Sequence, residues 1–146
     1  MAQSLSRVIL HIVFSTENRL PIINSSIQER LHAYIATIAR DLGSYCFKVG
    51  GTFDHVHLAC TLPRTISQSE FIKKVKITSS KWIKSQGVRR FSWQNGYGVF
   101  SIGQSQLESL VQYVSEQENH HKAKPFQEEL EEILKRYKIE YNTNYL

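Results

Sequence analysis

Two histidines one residue apart, His55-Val56-His57, are the sharpest chemical feature of the chain. On a β-strand side chains alternate faces, so both imidazoles project to one side with Ala59 and Thr61 beyond them. Val56, Leu58, Cys60 and Leu62 then line the other side, as a core-facing row should. Two imidazoles on an otherwise small and polar face are available as metal ligands. Farther along, Tyr113-Val114-Ser115-Glu116-Gln117 sets a phenol and a carboxamide at i and i+4, neighbours on one face of a helix, and His120 extends that stripe. Each part has a plainer reading, the histidines as an incidental pair and the tyrosine as cover for the edge of the core. Together they describe a site: two imidazoles and an amide oxygen around a hard divalent ion, with a phenol beside it. A tyrosine, with a pKa of about 10, is a poor nucleophile at neutral pH, and a phosphodiester repels an incoming anion. A cation with open positions would polarise the phosphoryl group and offset the developing charge.

The elements that must position these groups are legible from periodicity. Leu5–Ser15 alternates as a strand, with Val8, Leu10, Ile12 and Phe14 on one side and Ile9, His11 and Val13 on the other. Asn24 or Ser25 can cap a helix carrying Ile27, Leu31, Tyr34, Ile35, Ile38 and Leu42, which Gly43 ends. Strands over Tyr45–Val49 and His55–Leu62 are joined by Gly50-Gly51-Thr52-Phe53-Asp54. Ser67 or Ser69 opens a second helix with a stripe of Phe71, Val75, Thr78 and Trp82, and Lys73, Lys74, Lys76, Lys81 and Lys84 fall in the opposite arc. Tyr97–Ile102 is a further strand. Ser105 and Glu108 have the spacing of a capping box, opening a helix with Leu107, Leu110, Val111 and Val114 on its buried side. An acidic amphipathic helix, Phe126–Tyr137, follows with Leu130, Ile133 and Leu134 apolar.

The order β-α-β-β-α-β plus two helices predicts an α+β fold: a ferredoxin-like (RRM-like) split βαβ antiparallel sheet with helices on one face and additional C-terminal helices. The other face of the sheet is expected to stand open for a ligand. The 146 residues suit a single domain over 1–146, with 124–146 as C-terminal helix and tail. The chain has no run of about 20 apolar residues to span a membrane, no signal-peptide pattern and only two cysteines, Cys46 and Cys60, so a reducing cytoplasm is expected.

Net charge is +5, unevenly spread: Arg64–Arg90 carries eight bases against one acid, Glu70, while five acids face three bases from Phe126 to the end. Such a basic stretch attracts polyanions, although a solvated helix face has the same composition. Arg64, Lys73, Lys74, Lys76, Lys81 and Lys84 are candidates for backbone phosphates. Trp93, Tyr97 and Phe100 are candidates for base stacking or for the core, and His11 for the open face or for the strand's own packing. His120 and His121 are candidates for phosphate contact or for a place behind the metal, with a solvated helix end the plainer reading of His121. Asp54 could orient the imidazole of His55 or simply shape its turn.

The chain resembles the single-tyrosine HUH transposases, the IS-two-hundred-like enzymes of bacterial insertion sequences that move as single-stranded DNA. The likeness lies in His11-Ile12-Val13-Phe14-Ser15-Thr16 with Arg19, in Phe53-Asp54-His55-Val56-His57, and in Phe91-Ser92-Trp93-Gln94-Asn95-Gly96-Tyr97-Gly98. It continues in Tyr113-Val114-Ser115-Glu116-Gln117-Glu118-Asn119-His120-His121. The resemblance implies that His55, His57 and Gln117 bind Mg²⁺ or Mn²⁺ and that Tyr113 attacks DNA, leaving a 5′-phosphotyrosine bond and a free 3′-OH. It also implies recognition of single-stranded DNA hairpins at element ends and a homodimer in which the tyrosine helix can serve the partner's site. Two other roles fit the residues: a domesticated relative acting on chromosomal palindromic repeats, and a ferredoxin-like nucleic-acid-binding module without chemistry. A zinc hydrolase fits less well, because it wants a third histidine or a carboxylate at ligand spacing, and Asp54 and Glu116 are the only acids near the motifs.

Overall fold

Alternation along the first and third strands sorts their side chains into two unlike faces, and this sorting organises the molecule. The computed structural model describes residues 2–118 and 124–143. In chain order the elements are β1 (Ile9–Ser15), α1 (Ser25–Asp41), β2 (Cys46–Gly51), β3 (His55–Thr61), α2 (Gln68–Ser85), β4 (Gly98–Ile102), α3 (Leu107–Ser115) and α4 (Phe126–Arg136). The four strands form one antiparallel sheet in the order β2-β3-β1-β4, the split βαβ arrangement. Among the described residues no helix is long and apolar enough to cross a membrane.

One face carries Leu10, Ile12 and Phe14 of β1 with Val56, Leu58 and Cys60 of β3, and α1 and α2 close over it. Ile27, Leu31, Ile35 and Ile38 come from α1; Phe71, Ile72, Val75 and Ile83 come from α2. The α2 stripe is turned from the expected one. Ser79 and Ile83 are buried, because Ser79 accepts the indole N–H of Trp93 at 3.0 Å, while Trp82 moves to the helix seam and stacks on Tyr34. Ser67 caps α2, accepting from the Glu70 N–H.

The opposite face is covered, not open. It bears Val13, Ala59 and Phe100 beside the histidines, an apolar surface too large to leave in water. Leu110 and Val114 of α3 pack on Ala59, while Phe126, Ile133 and Leu134 of α4 pack on Val13 and Phe100. Entry to α3 runs through a short 3₁₀ turn, Gln104–Gln106, in which the Gln106 side chain accepts from the Gly103 N–H at 3.2 Å. That replaces the expected box at Ser105 and Glu108. Gly50 and Gly51 belong to β2 rather than to its connection. A Cβ at Gly50 would collide with the carbonyl oxygen of Val114, so the bare backbone there lets α3 settle onto β2.

Candidate active site

The β1–β3 register pairs Val13 with His57 and Ser15 with His55, and β2 sets Gly50 opposite His57. His11, two residues before Val13, is therefore a diagonal neighbour of His57 on the same face. Its Nε2 lies 2.7 Å from His57 Nδ1, with the rings stacked at 5.0 Å. Burial and then the neighbouring His57 lower the His11 pKa to about 3, which keeps it neutral. His55 is held from its other side: its Nδ1 lies 2.7 Å from Asp54 Oδ1 and 3.1 Å from Thr52 Oγ1. A carboxylate only accepts, so the proton of His55 sits on Nδ1 and the Nε2 lone pair points inward. Both imidazoles are fully buried.

α3 delivers the phenol and the amide. Gly50 lets the C-terminal end of α3 lie close to β2, and the Tyr113 ring meets His57 edge-on at 5.6 Å and His11 at 5.9 Å. The helix ends at Ser115, so Gln117 stands just past it. Its Nε2 donates to the Tyr113 carbonyl at 3.3 Å and its Oε1 lies 3.0 Å from His55 Nε2. The pair expected at i and i+4 thus converges with the histidine pair, within one chain. Burial first, and then a hydrogen bond to the Glu129 carboxylate, push the Tyr113 pKa well above its ordinary value.

Glu129 was not visible as a site residue in the sequence. It sits on the buried side of α4, with Oε1 3.2 Å from His57 Nε2, and Phe126 of the same helix stacks on His55 at 4.2 Å. The signal lay in the spacing: Phe126, Glu129 and Ile133 share one helical stripe, so a glutamate occupies a core-facing position. This supplies the carboxylate that the acids near the motifs did not. Between α3 and α4 an open cavity of about 760 Å³ reaches Tyr113, His11 and Glu129, with Lys124, Arg136 and Tyr137 on its walls.

Other expected residues are placed elsewhere. Because α2 packs on the far face of the sheet, Lys73, Lys74, Lys81 and Lys84 are exposed on the side away from the histidines. Lys76 leaves that arc: it is half-buried, donates to the carbonyls of Gln94 and Gly96, and its pKa falls to about 8 through burial. Arg64 is exposed in the loop after β3. Trp93 is 7% exposed, edge-on to both Phe14 and Phe91, and has no face left for a base. Phe100 is buried against α4, whereas Tyr97 is exposed. His11 lies behind His57 rather than at the surface. His120 and His121 fall outside the described residues.

The family model described as "Transposase IS200 like" matches residues 4–117. No curated protein matches the chain. Among solved structures, the chain is similar to a candidate transposase from Deinococcus radiodurans R1, at 18% identity and a TM-score of 0.64 over 78% of this chain and 95% of that one. It is also similar to a REP-associated tyrosine transposase bound to a REP hairpin, at 17% identity and a TM-score of 0.56 over 78% of this chain and 70% of that one. These structural likenesses concern the fold; the family match covers the strand bearing His55 and His57 and the segment from Tyr113 to Gln117, and by it this chain belongs to the IS200-like transposase family.

Proposed function

We propose that the protein cleaves and rejoins single-stranded DNA at hairpin-marked sites, with Tyr113 as nucleophile. The observation that carries this reading is the convergence of His55, His57, Gln117 and Tyr113 on one point of the sheet. The donor set fits a divalent ion. His55 Nε2 and Gln117 Oε1 face each other at 3.0 Å, and both present lone pairs, an arrangement that a shared cation makes favourable. Bound there, Mg²⁺ or Mn²⁺ would supply Lewis-acid polarisation of the phosphoryl group.

The chain's own residues do the rest. Asp54 and Thr52 fix the tautomer of His55, and His11 fixes the ring of His57. Gln117 ties its amide to the backbone of Tyr113, which sets the spacing between the nucleophile's residue and this ligand. The Tyr113 oxygen attacks phosphorus, and the bond to the 3′ oxygen breaks. The phenol proton is lost, and the 3′ oxygen gains one to become a hydroxyl. The resulting phosphotyrosine keeps the energy of the broken ester, so the same 3′-OH, or another, can reseal the strand.

One chain brings its own phenol edge-on to its own histidines, which supports a nucleophile acting in cis. The hairpin held by the REP-associated neighbour supports a palindromic single strand as substrate, whether at element ends or in chromosomal repeats. A labelled single-stranded hairpin with its flanks, incubated with protein and Mn²⁺, should give a covalent adduct on a denaturing gel. Tyr113→Phe should abolish the adduct and keep hairpin binding. Mixing Tyr113→Phe with His57→Ala protein should restore nothing. Adduct from the Tyr113→Phe protein alone would sink the proposal, and recovery in the mixture would overturn its cis assignment.

A further inference from the structure

We infer that the carboxylate of Glu129, on α4, is a fourth protein ligand of the divalent-ion site. This rests on the reading of His55, His57 and Gln117 as a metal centre. The family match ends at residue 117, so Glu129 lies in a part of the chain that the match does not describe.

The geometry supports it in three ways. First, Glu129 is 6% exposed, so its carboxylate is turned into the site beside His57 and Tyr113 rather than out to solvent. Second, its Oε1 stands 3.2 Å from His57 Nε2, and His57 Nδ1 is already engaged by His11. Around a six-coordinate ion with bonds of about 2.1 Å, adjacent ligand atoms stand about 3.0 Å apart and opposite ones about 4.2 Å. The Glu129–His57 and Gln117–His55 separations, 3.2 and 3.0 Å, are those of adjacent ligands. Third, ligand atoms of His55, His57 and Glu129 all lie within 4.8 Å of one another, close to the span of opposite ligands on one ion, so small side-chain adjustments suffice to gather them.

Four protein donors leave two of six positions for a phosphate oxygen and water. The anionic oxygen also lowers the charge of the centre by one relative to a site built from two imidazoles and an amide. Its hydrogen bond to Tyr113 links the nucleophile to the same centre.

Binding of Mn²⁺ to the full chain without DNA, followed at pH 8 by loss of the free-ion electron paramagnetic resonance signal, tests the assignment. Wild type should bind one Mn²⁺, and His57→Ala should lose it. Glu129→Gln and Glu129→Ala should each weaken binding, by roughly 10–100-fold or more for the alanine. Circular dichroism would verify that the variants are folded, and the isosteric glutamine guards against collapse of α4. Glu132→Gln, which removes an exposed charge from the same helix, should leave affinity within about twofold. If both Glu129 variants bind Mn²⁺ as well as wild type, or better, Glu129 is no ligand and the inference fails while the metal centre stands. If wild type binds none, or His57→Ala binds as well as wild type, the metal centre itself is wrong.

Discussion

The two faces of the sheet are built by the same strands and teach opposite lessons. On the α1/α2 side, β1 and β3 present Leu10, Ile12, Phe14, Val56 and Leu58, fully apolar and packed to helices whose own stripes match. On the α3/α4 side, the intervening residues of those strands present His11, His55 and His57 among Val13 and Ala59. Both faces are buried. The first gains stability from dispersion and the removal of apolar area from water. The second gives up part of that gain to hold imidazoles, an amide and a carboxylate at fixed distances, where buried polar groups are favourable only when each is satisfied.

Paired substitutions should expose this division most strongly. His57→Ala is expected to abolish adduct formation, while Leu58→Ala, one residue away and facing the other helices, should cost about 2–5 kcal/mol of stability. Denaturant melts and adduct gels on both proteins check it. The comparison breaks if His57→Ala destabilises more than Leu58→Ala, for the histidine face would then be carrying the fold.

Gly50→Ala probes the seam between chemistry and packing. Its methyl must displace the carbonyl of Val114, so α3 should shift on β2 and carry Tyr113 away from His57. A loss of about tenfold in adduct rate is expected, since small misplacements of a nucleophile are costly, with about 1–3 kcal/mol of destabilisation from overpacking. Unchanged rate and melting point would mean that the glycine does not set the approach of α3.

The smallest effect is expected on the outer surface of α2. The double change Lys81→Ala with Lys84→Ala removes exposed charges on the side of the sheet away from the histidines. Hairpin affinity should fall only a few-fold, with the salt dependence of binding reduced by at most about two charges. The adduct rate at saturating DNA should not change. A large fall in that rate would place these lysines on the reacting strand.

Much of the fold was legible. Alternation through β1 and β3 gave the correct faces, and the spacing of Ile27, Leu31, Ile35 and Ile38 gave the buried side of α1. The two local pairs, His55 with His57 and Tyr113 with Gln117, were legible because each spans only two or four residues of chain, although Gln117 stands past the end of α3. Trp93 took the core reading rather than base stacking, and Lys76 left its exposed arc, for a common reason. Their roles depend on what lies across the packing, Phe14 and Phe91 around the indole and the carbonyls of Gln94 and Gly96 on the ammonium. Ring type and charge do not disclose such partners.

The sequence by itself determined the local chemistry: how β1 and β3 sort their side chains onto two faces, that two imidazoles stand side by side, and that an amide follows a phenol by four residues. Those facts follow from periods of 2 and 3.6, which any short segment obeys regardless of its surroundings. Only the tertiary structure decided that the two pairs meet within one chain, that the expected open face is roofed by α3 and α4, and that Glu129 reaches His57. Each of these joins groups far apart along the chain, and such proximity is set by the burial of apolar surface over the whole domain, which no local period encodes.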